Sequence, residues 1–163
     1  MNYSKALNEC IESAYMVAGH FGARYLESWH LLIAMSNHSY SVAGATLNDY
    51  PYEMDRLEEV ALELTETDYS QDETFTELLF SHRLQVLFDE AEYVASVVHA
   101  KVLGTEHVLY AILHDGNALA TRILERAGFS YEDKKDQVKI AALRRNLEER
   151  AGWTREDLKA LRQ

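Results

Sequence analysis

Shifted by 77 residues, this chain superposes on itself without a gap: positions 4–47 fall on positions 81–124 with 12 identities among 44 pairs. Ser4 meets Ser81, Leu7 meets Leu84, Ala14 meets Ala91, and Val17-Ala18 meets Val94-Ala95. Further along, Ala23 meets Ala100, Leu26 meets Leu103, His30 meets His107, Leu32 meets Leu109 and Ala34 meets Ala111. Ala43 and Leu47 then meet Ala120 and Leu124. Most pairs are apolar, as expected when two copies of one unit keep the same packing pattern. The His-x-Leu-x-Ala step shared in register argues against a chance match between two amphipathic segments. The fold therefore has to be built from two like halves.

Each half reads as helical. One proline, Pro51, and seven glycines leave few breakers, which favours long helices over a many-turned β fold. Leu7, Cys10, Ile11, Ala14, Val17 and Ala18 recur at steps of three and four, as do Leu84, Leu87, Phe88, Ala91, Val94 and Ala95. This spacing predicts four helices per copy, roughly at 4–20, 28–37, 41–49 and 53–65, then at 81–98, 105–114, 117–127 and 131–145. Ser4, Ser28, Ser81 and Thr105 stand where an N-cap hydroxyl would accept from a first-turn N–H, and Gly128 stands where a helix would end.

The divisions expected are a first repeat over 1–65, an exposed acidic connector over 66–79, a second repeat over 80–145, and a loosely attached charged linker or tail over 146–163. In that tail Thr154-Arg155-Glu156-Asp157 opens a short helix in capping-box style. A chain of this pattern is expected to be a domain from a longer protein. The expected fold class is all-α, with two tandem pseudo-symmetric four-helix repeats packed as one domain.

The formal net charge of −11 is wrong for nucleic acid or anionic membranes, which need a basic footprint, and it suits basic protein segments. Solubility alone also accounts for it. The lone Cys10 cannot form an internal disulfide and sits within an apolar helical pattern, so a small buried hydrophobe in a reducing compartment is expected. No apolar run reaches bilayer length, and Met1-Asn2-Tyr3-Ser4-Lys5 lacks the parts of a signal peptide. The expected location is the cytoplasm.

The second copy carries Phe80-Ser81, then Gly104-Thr105-Glu106-His107-Val108-Leu109, and ends in Ala120-Thr121-Arg122-Ile123-Leu124-Glu125-Arg126-Ala127-Gly128. The first carries Tyr3-Ser4 and Glu27-Ser28-Trp29-His30-Leu31-Leu32, which departs from that motif. Over about residues 3–145 these features resemble the Clp repeat domain at the N-terminus of class I Clp unfoldases of the ClpA and ClpC kind, ClpC being the nearer. The resemblance implies a non-catalytic module above an ATPase ring that receives protein substrates and, in the ClpC branch, MecA-like adaptors and arginine-phosphorylated protein. It implies no cofactor in this domain, ATP being bound by the ATPase domains, and oligomerisation only through their ring. The chain contains no Gly-x-x-x-x-Gly-Lys-Ser/Thr loop to cradle ATP phosphates.

Among candidate site residues, His30 and His107 recur at one joint in both copies. A shared buried, hydrogen-bonded ring explains the recurrence, so both are expected to be structural. No His-Glu-x-x-His spacing points to a metal, and none is expected. Glu106 lies in a predicted first helical turn, where the positive end of the helix dipole already favours a carboxylate. The resemblance gives that Glu a second role: gripping a guanidinium in a phospho-arginine pocket, with Thr105 beside it and Ser81 or Ser4 marking helix N-termini for the phosphate. In the first copy the matching residue is Trp29, which cannot accept charge, so that pocket is expected to be lost. Trp29 is either a core ring or an exposed contact. A catalytic pairing of Glu106 with His107 is disfavoured, because adjacent helical residues point about 100° apart; no catalytic residue is expected. A stand-alone Clp-repeat protein that binds partners without an ATPase is the alternative.

Overall fold

The computed structural model describes residues 1–49, 54–65, 78–115, 119–129 and 136–163. The first copy contributes α1 (Lys5–His20), α2 (Ser28–Ser36), α3 (Val42–Leu47) and α4 (Met54–Thr65). The second contributes α5 (His82–Val97), α6 (Thr105–His114), α7 (Leu119–Leu124) and α8 (Asp136–Ala151), and a short α9 (Arg155–Leu161) follows. The fold is all-helical. Pro51 and most of the expected connector, residues 66–77, lie outside the described residues.

The two middle helices carry the core. From Trp29 to Ser36 every residue of α2 is buried, and α6 is buried at Thr105 and from His107 to Leu113. A helix apolar all round has no face for water and must lie inside. Around this pair α1 and α5 place Leu7, Cys10, Ala14 and Ala18, and Leu84, Ala91 and Ala95, at zero exposure. Burial pushes the Cys10 thiol up to about 12, so it behaves as a small hydrophobe.

The copies exchange strand-like contacts about a pseudo-two-fold. Ser4 N–H donates to Leu103 C=O (2.8 Å) and Leu103 N–H to Asn2 C=O (2.8 Å). At the matching places Ser81 N–H donates to Leu26 C=O (3.0 Å) and Leu26 N–H to Leu79 C=O (2.9 Å). These bridges set the start of each copy's first helix beside the start of the other copy's second helix.

Three expectations need correction. Ser4 and Ser81 are N-caps, accepting from Leu7 N–H and Leu84 N–H at 3.1 Å each. Ser28 and Thr105, however, are the first residues inside α2 and α6, whose caps are Glu27 and Gly104. Gly128 falls inside a π-helical turn, Glu125–Phe129, instead of following a helix as its cap. Finally, the expected boundary at residue 146 lies inside α8. Leu147 is fully buried and Glu148 nearly so, and Trp153 sits edge-on to Tyr110 at 5.4 Å between ring centroids. The charges of Arg144-Arg145 and Glu148-Glu149 hid an amphipathic helix whose inner face continues the core.

Candidate functional site

Two clefts open at the pseudo-equivalent joints. Cleft 1, about 590 Å³, lies where the N-terminus of α2 meets α5. Cleft 2, about 490 Å³, lies where the N-terminus of α6 meets the start of α1. Both are within the size range of ligand sites.

A histidine organises each joint. Glu27 N–H donates to Nδ1 of His30, and Gly104 N–H donates to Nδ1 of His107, both at 2.9 Å. Each ring thus satisfies a free N–H at a helix N-terminus, a task usually left to Glu or Gln at this position. Burial lowers His30 to about 3 and His107 to about 4, so both rings are neutral. The approach of His107 Nδ1 to Glu106 Oε1 (3.7 Å) is consequently no ion pair, because that nitrogen is already accepting a hydrogen bond. Among the described residues His30 Nε2 is buried with no hydrogen-bond partner, and its ring lies 3.9 Å from that of Trp29.

In cleft 2, Glu106 is half-buried at 22% side-chain exposure, and burial raises its pKa above the usual carboxylate value. Ser4 lines the same cleft. Thr105 lines it too, but its hydroxyl is committed, accepting from Ala43 N–H at 3.2 Å in the first copy. Lys101 and Asp157 bring one charge of each sign. The ring of Trp153, nearly parallel to His107 at 6.0 Å, closes one side. Sequence reasoning missed Trp153; the signal was an indole in an otherwise charged segment.

In cleft 1, Trp29 is 8% exposed and packs edge-on against Phe21 at 4.7 Å, so it is chiefly a core ring with one edge toward the cleft. Ser81 lies at this joint, across from Ser4 at the other. Its hydroxyl donates to Oε2 of Glu27 at 3.1 Å while accepting from Leu84 N–H. Glu27 was not among the expected site residues, because the sequence gives no sign that a carboxylate two positions before the motif's Glu points into the joint. The loss of an acid at position 29 therefore does not leave the joint without one.

Among the described residues no group of His, Cys, Asp or Glu side chains is placed to hold a metal, and no helix is long and apolar enough to cross a membrane.

A family model described as the Clp repeat (R) N-terminal domain matches residues 2–127. No curated protein matches the chain in sequence. The solved N-terminal domain of the caseinolytic protease-associated chaperone ClpD from Arabidopsis thaliana is similar at a TM-score of 0.69 and 16% identity, over 93% of this chain and 95% of that one. The Hsp104 N-terminal domain from Candida albicans is similar at a TM-score of 0.69 and 18% identity, over 96% of each chain. A ClpV N-domain, solved in complex with a VipB peptide, gives 0.59 and 18%, over 86% of this chain and 88% of that one.

Proposed function

Because the chain belongs to the Clp repeat N-terminal domain family, we propose that it is the docking domain of an ATP-dependent Clp unfoldase, receiving adaptors and protein substrates without catalysis of its own. The observation that carries this reading is the pair of clefts at pseudo-equivalent joints, each presenting a carboxylate beside a helix-capping serine: Glu27 with Ser81, and Glu106 in the cleft lined by Ser4. Pre-formed recesses with a few oriented polar groups are what a binding module needs. Chemistry would require a nucleophile or base within reach of a reacting atom. The neutral, cap-committed His30 and His107 supply neither.

The proposal extends to a ClpC-type cytoplasmic parent protein, a MecA-like adaptor as partner, and assembly through the parent's ATPase ring, where ATP would bind. The negative charge favours adaptor or substrate segments that are basic.

The test uses the parent protein. A photo-crosslinking residue is placed at the exposed Val86 beside cleft 1 or at the exposed Val102 beside cleft 2. Crosslinks to the adaptor and to an engaged substrate from these positions are expected, and removal of residues 1–163 should leave basal ATP hydrolysis while abolishing adaptor-dependent unfolding. Unaltered adaptor-dependent unfolding after removal sinks the reading. A parent without a phosphate-binding loop replaces it with the stand-alone partner-binding protein.

A further inference from the structure

Each cap histidine has an indole beside it, but the two indoles are held in different ways. Trp29 belongs to α2 itself, lies 3.9 Å from His30 between ring centroids and is 8% exposed. The position of the second copy that matches it is Glu106. The ring beside His107 comes instead from outside the repeat: Trp153, nearly parallel at 6.0 Å and edge-on to Tyr110. A ring that lines cleft 1 as part of its own helix is thus matched in cleft 2 by one that arrives on the segment after α8.

That segment is placed by one turn and held by few contacts. At the end of α8 Gly152 takes a φ of 76°, in the left-handed region. Gly152 N–H donates to Glu149 C=O at 3.1 Å and Trp153 N–H to Glu148 C=O at 3.2 Å, a helix closure that turns the chain back along the cleft. Beyond the turn, no residue of α9 is buried. Trp153 and Leu161 pack on the core while only half-buried. Arg162, 62% exposed, reaches Oε2 of the buried Glu148 at 3.4 Å, and an ion pair with so exposed a partner holds weakly. Few buried apolar contacts mark an element that opens well before the domain unfolds.

We infer that residues 152–161 form a releasable strap over cleft 2, with Trp153 as its latch and Gly152 as its hinge. Closed, the strap walls the cleft with Gly152, Trp153 and Asp157. Released, it opens the cleft along that side and admits a bulkier guest. Among the described residues cleft 1 has no such wall, so one joint stands open and the other is gated. This goes beyond the docking reading, since it holds for whatever enters cleft 2.

The experiment adds a thiol to the 163-residue chain, by Ala6→Cys on another wall of cleft 2 or by Val86→Cys in cleft 1. Cys10 is fully buried and stays silent. The rate of labelling by fluorescein maleimide, a bulky reagent, is measured alongside amide exchange in α9. Trp153→Ala should speed labelling at position 6 about 10-fold, because access follows the population of the open form. Trp153→Phe, which keeps a ring beside His107, should restore most of the protection. Gly152→Ala separates release from mere loss of bulk: it keeps every side chain of the wall, and its added Cβ meets open space, so it acts only by straining the hinge. It should speed labelling about 5-fold, with faster exchange in α9. Labelling at position 86 should be unchanged by all three. If Trp153→Ala fails to fold, Gly152→Ala decides. Unchanged labelling at position 6 in Gly152→Ala, an equal rise at positions 6 and 86, or a rise at position 6 with α9 exchange unaltered overturns the strap.

Discussion

The two clefts are like joints of like repeats, yet they differ in where the acid comes from and in what closes them. Cleft 1 takes its carboxylate from the residue that caps α2 and is open along α5. Cleft 2 takes its carboxylate from the second residue of α6 and is walled by Gly152, Trp153 and Asp157 from the segment after α8. Each cleft is lined by a carboxylate, but the two are drawn from different positions of the repeat. What has not moved is the buried histidine: the identical pairing of His30 and His107 with a cap N–H is the hinge on which both clefts are built.

The largest expected effect tests that shared element. Both rings titrate below the free value of 6.5, at about 3 and about 4. The unfolded chain therefore binds protons first on acidification. The stability each neutral ring contributes is complete above pH 6.5 and is lost as pH falls toward the folded values. Between pH 7 and pH 5 each ring should cost about 2 kcal/mol, about 4 kcal/mol together. Urea unfolding at the two pH values measures this. His30→Asn or His107→Asn, which keeps an acceptor near Nδ1 and removes the titration, should each cut the pH dependence by about half. A pH dependence that survives both replacements shows that the joints do not depend on these rings in the same way.

The next effect should be confined to one cleft. Trp153 stacks beside His107 and meets Tyr110 edge-on. Removing a fully buried Trp costs about 3–5 kcal/mol; for this half-buried ring Trp153→Ala should cost about 2 kcal/mol, with faster amide exchange in α9 and at cleft 2 and none of that change at Glu27 or α5's first turn. A loss under about 0.5 kcal/mol would show that the segment after α8 only rests on the second repeat.

How much of this the sequence discloses follows from what kind of interaction each feature is. Helices and their repetition are written in apolar spacing, so α1, α2, α5 and α6 fall within a residue or two of the expected ranges. The family is legible too, from Gly104-Thr105-Glu106-His107 in register with a whole repeat. Glu27 was not legible, because side-chain direction at a helix cap depends on the neighbouring copy: the hydroxyl that anchors it belongs to Ser81, 54 residues away. Trp153 was missed for the opposite reason. Local charge density over Arg144–Arg150 reads as a solvated linker, whereas the register of Ile140, Leu143 and Leu147 places one face of α8 in the core.

The two acids should respond with opposite signs. Glu106 has its pKa raised by burial, so the ionised form is disfavoured in the folded state. That penalty is fully present above the raised folded value and absent below the ordinary 4.5. Glu106→Gln should therefore raise the unfolding midpoint at pH 7, and the gain should vanish on acidification. Glu27→Gln should instead lower stability by about 0.5–1 kcal/mol, since the ionised carboxylate accepts the Ser81 hydroxyl. Thermal melts of both variants at pH 7 and pH 4 decide it. The same sign for both would mean that the two carboxylates sit in equivalent surroundings after all.

The smallest effect lies at the ends of the two long helices. α1 is followed by Gly22 with φ of 63°, and α5 by His99 with φ of 61°, again 77 residues apart. Both ends close the same way: Ala23 N–H donates to Ala18 C=O at 3.0 Å, and Ala100 N–H to Ala95 C=O at 2.9 Å. This six-residue closure needs a left-handed residue just past the helix, and only glycine adopts that conformation without a steric cost from Cβ. For His99 the cost is about 1–2 kcal/mol. His99→Gly should relieve it while adding about 0.5–1 kcal/mol of unfolded-chain entropy to be overcome. The net gain should be about 0.5–1 kcal/mol, readable as a small rise in urea midpoint at constant m-value. The reciprocal change Gly22→His should lose a similar amount. If His99→Gly is instead destabilising, the imidazole must hold contacts in the second copy that glycine cannot replace, and the two helix ends would be alike in backbone only.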